Sequence, residues 1–139
     1  TGDTFGLSYR EFDTEKGAFL LPTTTPIQFD PEALKASVRK LVADSPQYMY
    51  LTHYGRVDDI PRLSKMMIDG VDTFAGFAEL YKDDDSRRQK IETAMSDWLL
   101  DGLEKHGVSL DKDRCLELLG SDIKLNTQGI EFWLDHRKQ

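Results

Sequence analysis

Apolar positions along the chain change their period near residue 58. Beyond that point they recur every three to four residues, the spacing that gathers side chains on one face of a helix. Leu63, Met67, Val71, Phe74, Ala78 and Tyr81 form one stripe, and Ile91, Met95, Trp98, Leu99 and Leu103 form another. The first predicts a long helix opening near Asp58-Asp59-Ile60-Pro61. Gly70 and Gly76 weaken it by about 1 kcal/mol each and mark a bend or a close contact. The second predicts a helix from Ser86 to Gly107. Two shorter helices are expected to finish the chain, from Asp113 to Leu119 and from Asn126 to about Arg137, with Gly120 and an Asn126 cap as their boundaries.

Before residue 58 the apolar runs are short and broken by turn chemistry. Leu7 to Phe12 begins with apolar residues at alternate positions and reads as a short strand. Asp13 to Gly17 reads as a turn, and Ala18 to Leu21 as a second short strand stopped by Pro22. Thr23-Thr24-Thr25-Pro26 is extended or loop, because the residue before a proline is pushed out of the helical region. A helix follows with clear start signals: Asp30 to cap it, Pro31 in its first turn, and Glu32 at the positive end of its dipole. Leu34, Val38, Leu41 and Val42 give it one apolar face, and Asp44-Ser45-Pro46 ends it. Tyr48 to Thr52 is a compact apolar strand that delivers His53 and Gly55 at its C-terminal end.

Composition narrows the function classes. The 139 residues suffice for a domain with a real core. Eighteen Lys and Arg against 25 Asp and Glu leave a net charge of -7, so phosphate backbones are repelled and nucleic acid is a poor partner. The one basic cluster, Arg87-Arg88 with Lys90, directly follows Asp83-Asp84-Asp85, which largely neutralises it. No apolar run approaches the roughly 18–20 residues that span a bilayer, so no membrane segment is expected. The single Cys115 excludes an internal disulfide and fits a reducing, cytoplasmic setting. It lies in the run Arg114-Cys115-Leu116-Glu117-Leu118-Leu119 and reads as a buried helical thiol, not a nucleophile.

Of the three histidines, His106 sits at a helix end beside Gly107 and reads as structural or exposed, and His136 in the charged tail reads as solvated. His53 stands apart: it follows a buried-type strand and precedes Tyr54-Gly55, a position where ligands gather in open α/β sheets. Asp3, in Thr1-Gly2-Asp3-Thr4, is by itself an ordinary turn carboxylate.

Taken in order, Gly2-Asp3-Thr4, Leu21-Pro22-Thr23-Thr24-Thr25-Pro26, Phe29-Asp30-Pro31-Glu32 and Tyr50-Leu51-Thr52-His53-Tyr54-Gly55 resemble the second half of metallo-β-lactamase-fold hydrolases. The tail Leu125 to Ile130 is similar to a helix start in that group. The resemblance implies an α/β fold: residues 1–57 as the C-terminal half of an αββα sandwich, and residues 58–139 as a helical region packed on it, as in glyoxalase-II-like relatives. It further implies that Asp3 and His53 are metal ligands, the carboxylate bridging two ions and the imidazole completing the second site. Zinc is the expected metal, with iron or manganese as alternatives. Metal-bound hydroxide would then hydrolyse an ester, thioester, amide or phosphoester of a small-molecule substrate. Thr24 would line the cleft and Tyr54 would orient the substrate.

The chain carries no H-x-H-x-D-H cluster, and two ligands are fewer than a catalytic zinc needs. The expected partner is therefore an N-terminal half of the same protein, or a second copy of this chain. The chain alone is expected to bind metal weakly and to be inactive. The alternative is a non-catalytic helical module for binding or oligomerisation, in which Asp3 and His53 are incidental.

Overall fold

A computed structural model describes residues 9–22, 30–43, 48–51 and 55–136. Four helices dominate it: α1 (Pro31–Val42), α2 (Ile60–Tyr81), α3 (Arg87–His106) and α4 (Lys112–His136). A single 3-10 turn, Arg10–Phe12, precedes them. Between α1 and α2 lie two short strands, β1 (Tyr48–Leu51) and β2 (Gly55–Asp58), paired antiparallel with Tyr48 opposite Asp58 and Leu51 opposite Gly55. This hairpin is the only sheet among the described residues.

The architecture is therefore all-α, and the expected αββα sandwich is overturned. With it goes the resemblance to the second half of a metallo-β-lactamase-fold hydrolase, which required a layered sheet. The strand expected over Ala18 to Leu21 shows where the inference failed. The segment forms no strand beyond a single bridge position at Leu21, and its side chains pack among helices. Phe19 and Leu21 enter a core shared by α2, α3 and α4, whereas Leu20 points into a second core built from Val38 of α1 and Ile60, Leu63, Met67 and Val71 of α2. The period of two is real. What it serves is a wedge between two helical cores. Phe12 closes a 3-10 turn instead of ending a strand.

The helix ends follow their local chemistry. The Asp30 carboxylate accepts from the Ala33 amide at 3.1 Å, with Pro31 at the first position. α2 starts after Asp59, whose φ of 54 is a conformation that aspartate tolerates better than most residues, and Arg62 Nε pairs with its carboxylate at 2.7 Å. α3 closes on Gly107 at φ 89. The Gly107 amide donates to Glu104 and the Val108 amide to Leu103, a Schellman ending.

Two shorter helices were expected at the C-terminus, but α4 runs unbroken through Gly120 and Asn126. A glycine in a helix costs about 1 kcal/mol, less than the about 1.5–3 kcal/mol that each buried aliphatic side chain recovers. Leu119, Ile123 and Ile130 all face the core from this one helix. Asn126 is not a cap; it faces inward. α1 packs on α2, α3 on α4, and α2 touches both α3 and α4.

Candidate functional site

Asp3, His53, Thr24 and Tyr54, the residues of the expected metal and substrate site, lie outside the described residues. Among the described residues no group of three or more His, Cys, Asp or Glu is placed to hold a metal ion. His106, read as structural or exposed, is buried and structural. His136 is exposed; its Nδ1 donates to the Phe132 carbonyl at 2.8 Å and its ring stacks on Phe132 at 3.9 Å. Cys115 is 3% exposed, and burial pushes its thiol pKa up.

The basic cluster is paired, but only Lys90 uses the acidic run expected to neutralise it. Lys90 pairs with Asp84, Arg88 with Glu92, and Arg87 crosses to Asp135 of α4 at 2.6 Å. An open hollow of about 550 Å³ at the α2–α3 turn is lined by Asp84, Arg87, Arg88 and Glu92 among others. Its carboxylates, Asp83, Asp84, Asp85, Glu92 and Glu131, outnumber its cations, Lys82, Arg87 and Arg88, so it does not attract an anion.

The most elaborate side-chain arrangement holds the Tyr9–Pro22 segment. The Tyr9 hydroxyl donates to Asp122 Oδ2 at one end. At the other end, Asn126 Nδ2 donates to the Pro22 carbonyl at 2.8 Å. Asp122 and Asn126 are four residues apart on α4 and so lie one turn apart on a single face. Both ends of the segment therefore return to neighbouring turns of one helix, the geometry of an Ω-type loop.

Between these anchors the loop reaches across to the other helices. His106 Nε2 lies 2.8 Å from the Gly17 carbonyl, which can only accept, so this nitrogen carries the hydrogen. Arg62 Nη2 donates to the Ala18 carbonyl at 3.0 Å. α2, α3 and α4 thus each contribute one side-chain donor to a main-chain carbonyl of the same loop. The loop reciprocates at the end of α3, where carbonyls lack intrahelical partners. Thr14 Oγ1 donates to the His106 carbonyl at 2.9 Å, and Lys16 Nζ to that of Lys105 at 2.7 Å.

Aromatic rings fill the interior of the loop in a chain of edge-to-face contacts. Tyr9 meets Phe12 at 5.6 Å, Phe12 meets Phe19 at 6.4 Å, and Phe19 meets the His106 ring at 5.6 Å. Two glycines let the loop approach closely. A Cβ on Gly70 would sit 2.9 Å from the Pro22 ring, and one on Gly102 would sit 3.3 Å from the Phe19 ring. Gly70 is thus the close contact that its place in the α2 stripe suggested. Gly76 has nothing within 4 Å of such a Cβ.

Chemically, this arrangement grips a backbone. Its donors face carbonyls, and its buried groups are packed. Asp122 and the inward role of Asn126 escaped sequence reasoning, although a signal existed. At helical spacing both fall on the face of Leu119, Ile123 and Ile130, where a polar residue needs a specific partner.

No protein-family model matches the chain, and neither a curated protein nor a solved structure matches it significantly.

Proposed function

We propose that the chain is a non-catalytic helical interaction module that associates with a second copy of itself along the outer edge of α4. The observation that carries this is an apolar stripe on that edge. Leu125 and Phe132 are 40% and 38% exposed, and Leu118, half-buried, continues the same line. These positions are seven residues apart, close to two helical turns, so they stack along one edge of the helix. The exposed His136 ring extends the stripe by stacking on Phe132. Apolar side chains in a row ask to be covered, and the cover that matches a seven-residue spacing is another helix with the same spacing. This chain supplies one in every copy, and two identical edges can meet around a two-fold axis.

Metal-hydroxide hydrolysis drew its residues from a fold that the chain does not have, and no observation among the described residues favours it. No described helix is long and apolar enough to cross a membrane, so an apolar edge of this kind is free to serve another protein surface. The test is the mass of the chain in solution across a concentration series. The wild type is expected to shift from monomer toward dimer, and Leu125→Glu with Phe132→Glu is expected to hold it monomeric with its helical circular dichroism unchanged. A wild type that stays monomeric to its solubility limit would refute the proposal.

A further inference from the structure

The seat of the Tyr9–Pro22 loop carries an unused acceptor. Asn126 is 1% exposed, and its amide nitrogen is committed to the Pro22 carbonyl. Its amide oxygen is buried and has no hydrogen-bond partner among the described residues. Exchanging the oxygen and nitrogen would point two acceptors at one another, so the orientation is set by Pro22. An asparagine amide can grip an extended residue through both main-chain groups, donating to its C=O and accepting from its N–H. Proline has no N–H to give. The residue at the anchor therefore satisfies half of the clamp, and an orphaned buried acceptor is expensive.

Part of the seat recognises backbone, and part recognises side chains such as Tyr9, whose hydroxyl donates to Asp122. The donors from Arg62, His106 and Asn126 all address main-chain carbonyls, which every peptide has. Selectivity comes from the apolar pattern, with Phe19 and Leu21 entering one core and Leu20 the other, and from the Tyr9, Thr14 and Lys16 side chains that bond α4 and the end of α3. From this we infer that the groove between α2, α3 and α4 is a binding site for an extended apolar segment of another protein. The segment it fits carries an amide N–H where this chain has Pro22, and Tyr9–Pro22 is the resident plug. A second copy of this chain is a poor candidate for the seat, since it brings the same proline.

The test uses three labelled, C-terminally amidated peptides of the 9–22 sequence, ending in alanine, N-methylalanine or proline. Each is titrated by fluorescence anisotropy against the full chain carrying Phe12→Ser and Leu21→Ser, which loosen the plug. The alanine peptide is expected to bind saturably and roughly threefold to tenfold more tightly than the other two, the worth of one hydrogen bond. Asn126→Leu in the receiving chain is expected to erase that difference. Absence of saturable binding overturns the inference, and so does equal affinity of all three peptides, which would point to simple loop exchange between copies. Should the loosened chain lose its helical circular dichroism, the peptides are added during refolding. Recovery that favours the alanine peptide then supports the inference, and no recovery overturns it. Association along α4 is read from the mass of the wild-type chain, so the two proposals fail separately.

Discussion

The side-chain nitrogen of Asn126 lies 2.8 Å from the carbonyl oxygen of Pro22 and joins residues 104 apart along the chain. This bond anchors the end of the Tyr9–Pro22 loop to the middle of α4, at a position almost fully withdrawn from water. Its chemistry makes the first prediction sharp.

Asn126→Asp places a carboxylate against a carbonyl oxygen with no cation provided for it. Destabilisation of about 3 kcal/mol or more is expected at neutral pH. Burial raises the folded-state pKa of the new carboxyl above its unfolded value of about 3.9. The deficit is therefore smallest below that unfolded value, where a protonated acid again donates to Pro22. It grows as pH rises toward the folded-state pKa. Urea melts of wild type and variant at pH 4 and pH 7 measure this, and a pH-independent deficit would contradict the burial described.

Gly70 and Gly76 stand on the same helix and should respond to alanine with opposite signs. At Gly76 nothing lies within 4 Å of the added Cβ, so the gain in helix propensity, about 1 kcal/mol, should appear as stabilisation. At Gly70 the Cβ would meet the rigid Pro22 ring at 2.9 Å, and overpacking costs about 1–3 kcal/mol. Thermal melts of the two variants decide it. A stabilised Gly70→Ala chain would show that Pro22 does not press on α2.

The Cys115 thiol is buried, and desolvation, with a smaller contribution from Asp111, raises its pKa. Labelling by a thiol-disulfide reagent at neutral pH is expected to be slow in the native chain and to accelerate on addition of denaturant. Rapid labelling without denaturant would place the sulfur at the surface.

Asp84 accepts hydrogen bonds from Lys90 and from the Ser86 amide, which hold its carboxyl below the ordinary value of 3.8. A depressed carboxylate contributes stability above its unfolded pKa and loses it as pH falls through the folded one. Asp84→Asn should therefore lower the melting temperature slightly at pH 7, an effect that salt weakens because the pair is exposed. The gap should close in acid, below about pH 4. A gap that persists at pH 2 would assign the effect to something other than charge.

The helices were legible because their signals are local. Apolar stripes at a period of 3.6 placed α2 and α3, Asp30 and Pro31 opened α1, and Gly107 closed α3. The Asp13 to Gly17 turn was legible too, and Gly17 takes it at φ 101 with Thr14 and Gly17 bridged. The metal site was not legible in the same sense. Asp3 and His53 were joined only through a fold, and the sheet that would have carried that fold is absent among the described residues.

Local chemistry thus determined the starts of α1 and α2, the end of α3 and the Asp13 to Gly17 turn, since those preferences act over a few residues. The 3-10 turn at Phe12 and the continuity of α4 did not follow from it. Whether the stretch from Ala18 to Pro22 would meet strands or helices was settled only by packing. A run of buried apolar residues reads alike in either setting, because both hide the same side chains from water. Likewise, only the assembled helices turned Asn126 from a plausible cap into an inward clamp, because its partner lies about a hundred residues upstream.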